Sequence, residues 1–190
     1  MTRRTPTAAD YHRATSYRRD HLTPHYLDWA HQPAAVKRYP HLDRVPLGRG
    51  DQLPEIDYFE LLQRMQQAHN RRPVPPTLQE MATVFRLTHA VTARSVHSGQ
   101  SFYYRSVASA GALYPFELYL AARHIDGLDP GVYHYDLFDF GLNTLRRGTV
   151  PELPPVERSV AATFYITGIF FRSSWKYRSR AYRYVLLDAG

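Results

Sequence analysis

Cysteine is absent from this chain of 190 residues, and its absence excludes disulfide bonds, thiolate nucleophiles and cysteine-ligated metals. No apolar run is long enough to span a bilayer as a helix. The first residues, Met1-Thr-Arg-Arg-Thr-Pro, are not followed by the apolar stretch of a secretory signal peptide. These absences predict a cytoplasmic protein with no membrane partner.

Lysine is nearly absent, since only Lys37 and Lys176 are lysines among 24 basic residues. Arginine can replace lysine as a charge but does not release its proton, so a retained lysine is a candidate for proton chemistry. The net charge of +7 could indicate nucleic-acid binding. The arginines, however, are spread along the chain without a basic block of five residues. Nucleic-acid binding is therefore the least favoured of the functions considered.

Ten histidines are present, but they do not have the spacing of a metal site. His21 and His25 are four residues apart, yet Pro24 interrupts any helix that would place them on one face. His134 lies between two tyrosines in a predicted strand, which favours a structural role. The sequence therefore predicts no bound metal.

Apolar spacing and capping signals predict the helices. Residues 1–50 are irregular and predict an arm with one or two short helices. Residues 55–69 carry apolar side chains at helical spacing. Thr77 and Glu80 have the spacing of a capping box, which opens a helix expected to end near Ala90.

Alternating and β-branched segments predict the strands. Residues 116–124 and 132–135 predict a hairpin with a long loop, and residues 143–148 are expected to end that unit. The apolar residues 161–171 predict a buried strand, whereas residues 92–99 are polar and predict a loop.

The last segment predicts one helix that Ser174 caps. Its expected apolar side consists of Trp175, Ala181, Tyr182, Val185, Leu186 and Ala189. The segment is still apolar where the sequence stops at Gly190, so we expect the chain to be part of a longer fold. Gly190 as an ordinary helix stop is the alternative.

A row of small residues, Ser109, Ala110, Gly111 and Ala112, stands directly before the strand predicted at 116–124. Small side chains let a backbone approach a ligand closely. A strand behind them would hold that backbone still, as the recognition of a flat cofactor requires. The alternative, which composition alone favours, is an ordinary small-residue loop.

Lys176 and Tyr177 stand among four arginines, at positions 172, 178, 180 and 183. Positive neighbours disfavour a further positive charge, so we expect them to lower the pKa of Lys176 and to favour a tyrosinate at Tyr177. A residue tuned in this way can act as a base near neutral pH. The alternative is a solvated basic helix face with Trp175 and Tyr182 in the core.

Four ordered motifs resemble those of the SagB-type dehydrogenases of the nitroreductase superfamily. They lie at residues 109–119, 127–136, 175–184 and 187–190. Short motifs in residues 11–40 resemble the leader region of one subgroup. The resemblance therefore covers nearly the whole chain.

The resemblance implies an α+β fold with a nitroreductase-like antiparallel sheet flanked by helices. Residues 1–70 would be an N-terminal arm and helix, and residues 71–190 an FMN-binding domain that is truncated relative to the family. It also implies FMN at a homodimer interface, or a complex in which another chain completes the fold. The implied reaction oxidises azoline rings to azoles in modified peptides or in related small-molecule products.

Site residues follow from the same resemblance. The cofactor-binding residues it implies are Arg105, Ser109, Ala110, Gly111 and Leu113, with Arg105 at the phosphate and the others at the flavin ring. Lys176 and Tyr177 are implied as the catalytic pair that removes a proton.

One element departs from the family pattern. Residues 71–74 match poorly the Arg-Arg-Ser-x-Arg segment that holds the FMN phosphate in the superfamily. A flavin-free relative that binds a peptide or a partner enzyme in a natural-product modification complex therefore stands as the alternative.

Overall fold

The computed structural model describes residues 6–18, 25–51, 53, 55–67, 74–97, 99–149 and 160–190. The chain divides into two compact units that interleave along the sequence. The terminal unit comprises Met1–Ala35, Ser109–Phe116 and Gly168–Gly190, and the sheet unit comprises Val36–Ala108 and Glu117–Thr167. The predicted division after residue 70 stays a prediction.

Seven strands occur among the described residues. They are β1 (Arg44–Pro46), β2 (Val91–His97), β3 (Gln100–Arg105), β4 (Phe116–Ala122), β5 (Gly131–Asp136), β6 (Gly141–Arg147) and β7 (Ala162–Gly168). Five of them form an antiparallel sheet in the order β1-β6-β5-β4-β7, and β2 pairs with β3 in a separate hairpin.

Five α-helices accompany the strands in the described part of the chain. They are α1 (Ala8–Thr15), α2 (Tyr58–Gln67), α3 (Leu78–His89), α4 (Phe170–Tyr177) and α5 (Ala181–Ala189). With the antiparallel sheet they confirm the predicted α+β fold. In the N-terminal arm, α1 and a 3₁₀ turn at Trp29–His31 confirm the one or two short helices expected there.

The capping box begins α3 as predicted. The Thr77 hydroxyl oxygen accepts a hydrogen bond from the Glu80 N–H at 3.2 Å, and the Glu80 carboxylate accepts one from the Thr77 N–H at 2.7 Å. Ala90 caps the end of the helix. The inner side of α3 then buries Met81 and Phe85 in the core of the sheet unit. Burial of each large apolar side chain stabilises the unit by about 1.5–3 kcal/mol.

The predicted hairpin is present as β4 and β5, in antiparallel register with Tyr119 opposite His134. His134 is fully buried, and its Nε2 lies 3.0 Å from a carboxylate oxygen of Glu117. This pairing confirms the structural role expected for His134.

Two segments are strands where the sequence predicted otherwise. Residues 92–99 were expected to be a loop, but β2 pairs along most of its length with β3. The polar side chains belong to an exposed hairpin, where Arg94 donates to the hydroxyl of Ser101 at 2.8 Å. Residues 143–148 were expected only to end the preceding unit, yet most of them lie in β6, which pairs with both β1 and β5.

β7 confirms a strand within residues 161–171 but not its burial. Phe164 is 42% exposed and Ile166 is 54% exposed. β7 lies at one edge of the described sheet, where a strand has a neighbour on one side only. β-Branched composition indicated strand conformation here, but it did not indicate how deeply the strand would be buried.

α2 confirms the helix predicted at 55–69, within residues 58–67. None of its residues is buried; Phe59 is 71% exposed and Met65 is 58% exposed. Its apolar spacing therefore predicted the helix but not a place in the core.

The predicted last helix is two helices. Arg178 adopts φ 50° and ψ −128°, and a 3₁₀ turn at Arg178–Arg180 separates α4 from α5. Ser174 lies inside α4 and is not its cap. The break shifts the helical phase, so Trp175, Ala181 and Val185 are buried whereas Tyr182 and Leu186 are more than half exposed. Ala189 is exposed as well.

Candidate functional site

The row of small residues is tied to α5 by one carboxylate. The Ser109 hydroxyl donates to Asp188 Oδ2 at 2.6 Å, and the Ala110 N–H lies 3.2 Å from both carboxylate oxygens. Ser109 Oγ in turn accepts from the Tyr114 N–H at 2.9 Å. Asp188 therefore holds the start of the loop formed by residues 109–114, here called the small-residue loop, and Ser109 links that start to Tyr114 at its end.

The backbone of this loop is unusual. Gly111, Ala112 and Tyr114 have φ values of 63°, 54° and 45°, in the left-handed region that favours glycine. Non-glycine residues in this region cluster at functional sites, where the surrounding structure holds them. Here the Asp188 bonds and the Tyr114 N–H bond are the contacts that hold the loop.

Lys176 and Tyr177 lie directly against Gly111. A methyl group added at Gly111 would lie 2.4 Å from the Tyr177 hydroxyl oxygen and 3.0 Å from Lys176 Nζ. Only a residue without a side chain leaves these two groups where they are. The structure thus brings together three residues that the sequence singled out in separate segments.

Arg172 connects α4 to the same loop. Its side chain is 2% exposed; Nη1 donates to the Tyr114 carbonyl at 3.3 Å and Nε donates to the Ala34 carbonyl at 2.8 Å. Because Lys176 and Tyr177 lie one turn further along α4, this anchor sets their position above the small-residue loop. Asp188 and Arg172 were not predicted as site residues. The motif at 187–190 contained Asp188, but nothing local in the sequence paired it with Ser109.

Tyr177 is surrounded by tyrosines. Its ring lies 4.5 Å from that of Tyr184, whose hydroxyl is 3.2 Å from the hydroxyl of Tyr17. Burial raises the pKa of Tyr177, and the nearby Tyr17 and Asp188 raise it further. The expected tyrosinate is therefore wrong. The pKa of Tyr177 is set by burial and by the nearby oxygens of Tyr17 and Asp188 rather than by arginines.

The arginines around Lys176 do not form one solvated face. Arg172 is buried, and the Arg180 guanidinium carbon lies 3.9 Å from the centre of the Tyr17 ring. Arg183 donates to the Thr15 hydroxyl at 2.7 Å and to the His12 carbonyl at 3.2 Å. The alternative of a solvated basic face is thus wrong for Arg172 and Arg183.

A cavity of about 580 Å³ lies within the terminal unit beside this pair. One wall consists of residues 13–18 with Asp10, and the other of residues 176–180, including Lys176 and Tyr177. Its volume is within the range of small-molecule pockets. Lys176 and Tyr177 therefore line the cavity and also contact the small-residue loop at Gly111.

Arg105, the predicted phosphate ligand, belongs to the sheet unit. It is the last residue of β3 and 8% exposed, and its Nη1 lies 3.1 Å from His89 Nε2. Burial, together with the nearby Arg105 charge, lowers the pKa of His89 to about 4. The role of Arg105 stays a prediction. The mismatched phosphate segment at 71–74 falls mostly outside the described residues, which include only Val74 of it.

Membrane spans and metal clusters are both absent from the described ranges. No helix there is long and apolar enough to cross a membrane. No cluster of three or more histidine or acidic residues that could hold a metal ion is found in the same ranges.

Comparison with known proteins points to one fold. No protein-family model matches the chain. A protein of Methanocaldococcus jannaschii named as a putative nitroreductase is 31% identical over 87 residues, which cover 44% of this chain and 40% of that protein. The crystal structure of a putative nitroreductase from Anabaena variabilis matches 95% of this chain with a TM-score of 0.74 and 28% identity.

A third similarity is more distant. The E. coli microcin synthetase McbBCD complex, solved with truncated pro-MccB17 bound, matches 90% of this chain and 66% of the compared chain at 18% identity, with a TM-score of 0.46. A similarity at this level carries no functional argument. The chain spans 35% of the Anabaena protein and 40% of the Methanocaldococcus protein. The chain has a nitroreductase-like fold.

Proposed function

We propose that this chain belongs to an FMN-dependent oxidoreductase of the SagB type, which oxidises azoline rings to azoles. The observation that carries the proposal is the contact at Gly111. There, the Lys176 side-chain nitrogen and the Tyr177 phenol lie against an exposed turn of small residues. The nitroreductase-like fold supports the same class of reaction.

The residues of the small-residue loop fit a flavin ring. Gly111 and Ala112 are exposed and have no bulky side chain, so their backbone is open to a flat ligand. The bonds to Asp188 hold the loop in one conformation before any ligand arrives. Ser109, Ala110, Gly111 and Leu113 would hold the ring, and Arg105 is the proposed contact for the phosphate.

Oxidation of an azoline to an azole removes a hydride and a proton from the ring. FMN, when bound, would supply the two-electron acceptor for that hydride. The chain must accept the proton, and Tyr177 is a weak acceptor because its raised pKa keeps it a neutral phenol. We therefore assign proton removal to the Lys176 amine. Tyr177 donates a hydrogen bond that orients the substrate or the amine.

Replacing Lys176 by arginine tests this assignment, because arginine keeps the charge but does not release its proton. We expect Lys176→Arg to bind FMN as the unmodified protein does, but to lose oxidation of a small azoline substrate by about 100-fold or more. Flavin fluorescence measures binding, and absorbance of the azole product measures turnover. Full turnover by Lys176→Arg would contradict the role given to Lys176.

The partners of this function are proposals as well. The substrate is a small molecule or a modified peptide that carries an azoline. The active form is a homodimer, or a complex in which another chain completes the FMN site. Size measurement of the flavin-loaded protein by light scattering distinguishes these two forms.

A flavin-free protein that binds a peptide or a partner enzyme is the second candidate. It is favoured by the contact of Arg105 with His89, because a guanidinium that is 8% exposed offers little surface to a phosphate. Protein that takes up no FMN but retains a modifying enzyme in a pull-down would support this candidate over the first.

A further inference from the structure

The cavity beside Lys176 and Tyr177 is strongly basic. Among the described residues, five basic side chains and one acidic side chain line it: Arg13, Arg18, Lys176, Arg178, Arg180 and Asp10. The four arginines exceed the one carboxylate by three positive charges, before any contribution from Lys176 or from His25, which also lines the cavity. Asp10 is engaged by Arg13, whose Nη2 lies 2.5 Å from its carboxylate. The other three arginines form no ion pair with a carboxylate in the part of the chain that the structure describes.

The geometry of Arg180 leaves its donors available. Its guanidinium carbon lies 3.9 Å from the centre of the Tyr17 ring, which is close enough for stacking on the ring face. Stacking uses the face of a guanidinium, while the N–H groups point outward along its edge. Such an edge matches a carboxylate or a phosphate through two parallel hydrogen bonds. Arg178, two residues before Arg180 in the sequence, is exposed and also lines the cavity.

We propose that this cavity binds an anionic group, a carboxylate or a phosphate, carried by the substrate. Lys176 and Tyr177 line both the cavity and the small-residue loop, so an anion held by Arg178 and Arg180 would place the rest of the molecule beside the reacting groups. The assignment of this anion to the substrate rests on the proposed function. The anion site itself does not depend on flavin.

The first experiment uses flavin-free protein and two probes, inorganic pyrophosphate and citrate, in isothermal titration calorimetry. We expect saturable binding that weakens with added salt, as for charges near a protein surface. Loss of charge-assisted hydrogen bonds should make the variant Arg178→Gln/Arg180→Gln bind at least about tenfold more weakly. Arg49→Gln removes the same kind of charge from an exposed position in the sheet unit, and its binding should be unchanged.

The second experiment separates the substrate from the cofactor as the source of the anion. FMN and riboflavin, which lacks the phosphate, are titrated with and without saturating pyrophosphate. The same titrations on Arg178→Gln/Arg180→Gln separate the cavity from Arg105, the proposed phosphate contact. If the cavity serves the substrate, any displacement of FMN by pyrophosphate is the same in this variant and in the unmodified protein. If pyrophosphate displaces FMN but not riboflavin, and the variant loses this displacement, the cavity holds the cofactor phosphate and the substrate assignment is overturned.

Turnover gives a third measure. An azoline with a free carboxylate is compared with its methyl ester, which has the same ring without the charge. In the Arg178→Gln/Arg180→Gln variant we expect the KM of the carboxylate to rise about tenfold while kcat and the KM of the ester stay constant. Absence of turnover would contradict the proposed function alone, whereas absence of anion binding to flavin-free protein would overturn the anion site.

Discussion

At Gly111, two requirements coincide in one residue. Its φ of 63° favours glycine, and any Cβ would collide with the Tyr177 hydroxyl. Gly148 has a φ of 78° with nothing within 4 Å of an added Cβ, so it shares the first requirement without the second.

This contrast makes Gly148→Ala the matched control for Gly111→Ala. Each variant should lose roughly 1–2 kcal/mol of unfolding free energy, since alanine disfavours the left-handed region. Only Gly111→Ala should also shift the amide NMR signals of Lys176 and Tyr177, because both side chains must move away from the new methyl group. Equal shifts in both variants would contradict the contact at Gly111.

Asp188 holds the small-residue loop through two acceptor oxygens. Asp188→Asn replaces one of them by an NH₂ donor, so the Ser109 hydroxyl or the Ala110 N–H then faces a group that cannot accept its hydrogen bond, and one acceptor contact is lost. Such a loss costs about 1–3 kcal/mol. We expect faster hydrogen exchange at the Tyr114 amide, which depends on Ser109 Oγ, and weaker FMN binding. Asp51→Asn, an exposed carboxyl of the sheet unit, should change neither.

The pKa shift of Tyr177 predicts how this residue ionises. Because the folded state raises its pKa, Tyr177 should stay a phenol past the ordinary tyrosine value of about 10. Its contribution to stability is complete below that value and is lost as pH rises through the higher folded value. The difference in phenolate absorbance between the unmodified protein and Tyr177→Phe reports this residue alone. An ionisation step below the ordinary value would contradict the raised pKa.

Residue types and motif order are enough to select Lys176, Tyr177 and Gly111 from the sequence. They are not enough to select Asp188, because its partner Ser109 lies 79 positions away in the sequence. The ionisation of Tyr177 was predicted in the wrong direction for a similar reason. Sequence neighbours suggested arginines, whereas the fold surrounds the phenol with Tyr17, Tyr184 and Asp188.

Among the elements, α3 and β3 are joined at their ends by His89 and Arg105. The lowered pKa of His89, about 4 against an ordinary 6.5, means that the folded state disfavours its charged form. Stability from the neutral histidine is therefore complete above pH 6.5 and is lost as pH falls toward 4. The difference between the folded and the ordinary pKa of His89 changes the unfolding free energy by about 3 kcal/mol between pH 6.5 and pH 4.

His89→Asn tests this effect because asparagine has no charge to gain. Urea unfolding between about pH 4 and pH 7 should show a steeper loss of stability for the unmodified protein than for the variant. Parallel curves would show that His89 does not titrate between its folded and unfolded values.

α3 and the break between α4 and α5 show where prediction from sequence succeeds and where it stops. The capping box at Thr77 and Glu80 is local, so the start of α3 was predicted correctly. The break follows from Arg178, a residue type with no preference for a positive φ. Its neighbours hold it there: the Tyr11 hydroxyl donates to the Ser179 carbonyl at 2.7 Å. No local signal could have predicted that contact.

At the scale of the whole molecule, the terminal unit gathers three segments that are far apart in sequence. It holds the arm with α1, the small-residue loop, and α4 with α5. Individual strands were predicted because alternation and turn signals are short-range, whereas the α+β class and the antiparallel sheet were predicted from the resemblance of the motifs. The assembly of the site in one unit was expected only from the order of the motifs, since contacts between distant segments leave no periodic pattern.

The match to the Anabaena structure covers 95% of this chain but 35% of the other. The small-residue loop, Lys176, Tyr177 and the basic cavity are all contained in the terminal unit of this chain. The proposed binding of FMN against the small-residue loop at Gly111 can therefore be tested on this chain.

Titration of the purified chain with FMN, followed by quenching of flavin fluorescence, tests that claim most directly. We predict saturable binding that Gly148→Ala retains and Gly111→Ala weakens by at least about tenfold, because the new methyl group displaces Lys176 and Tyr177 from the loop. Absence of saturable binding, or equal affinity of Gly111→Ala and the unmodified protein, would contradict the account.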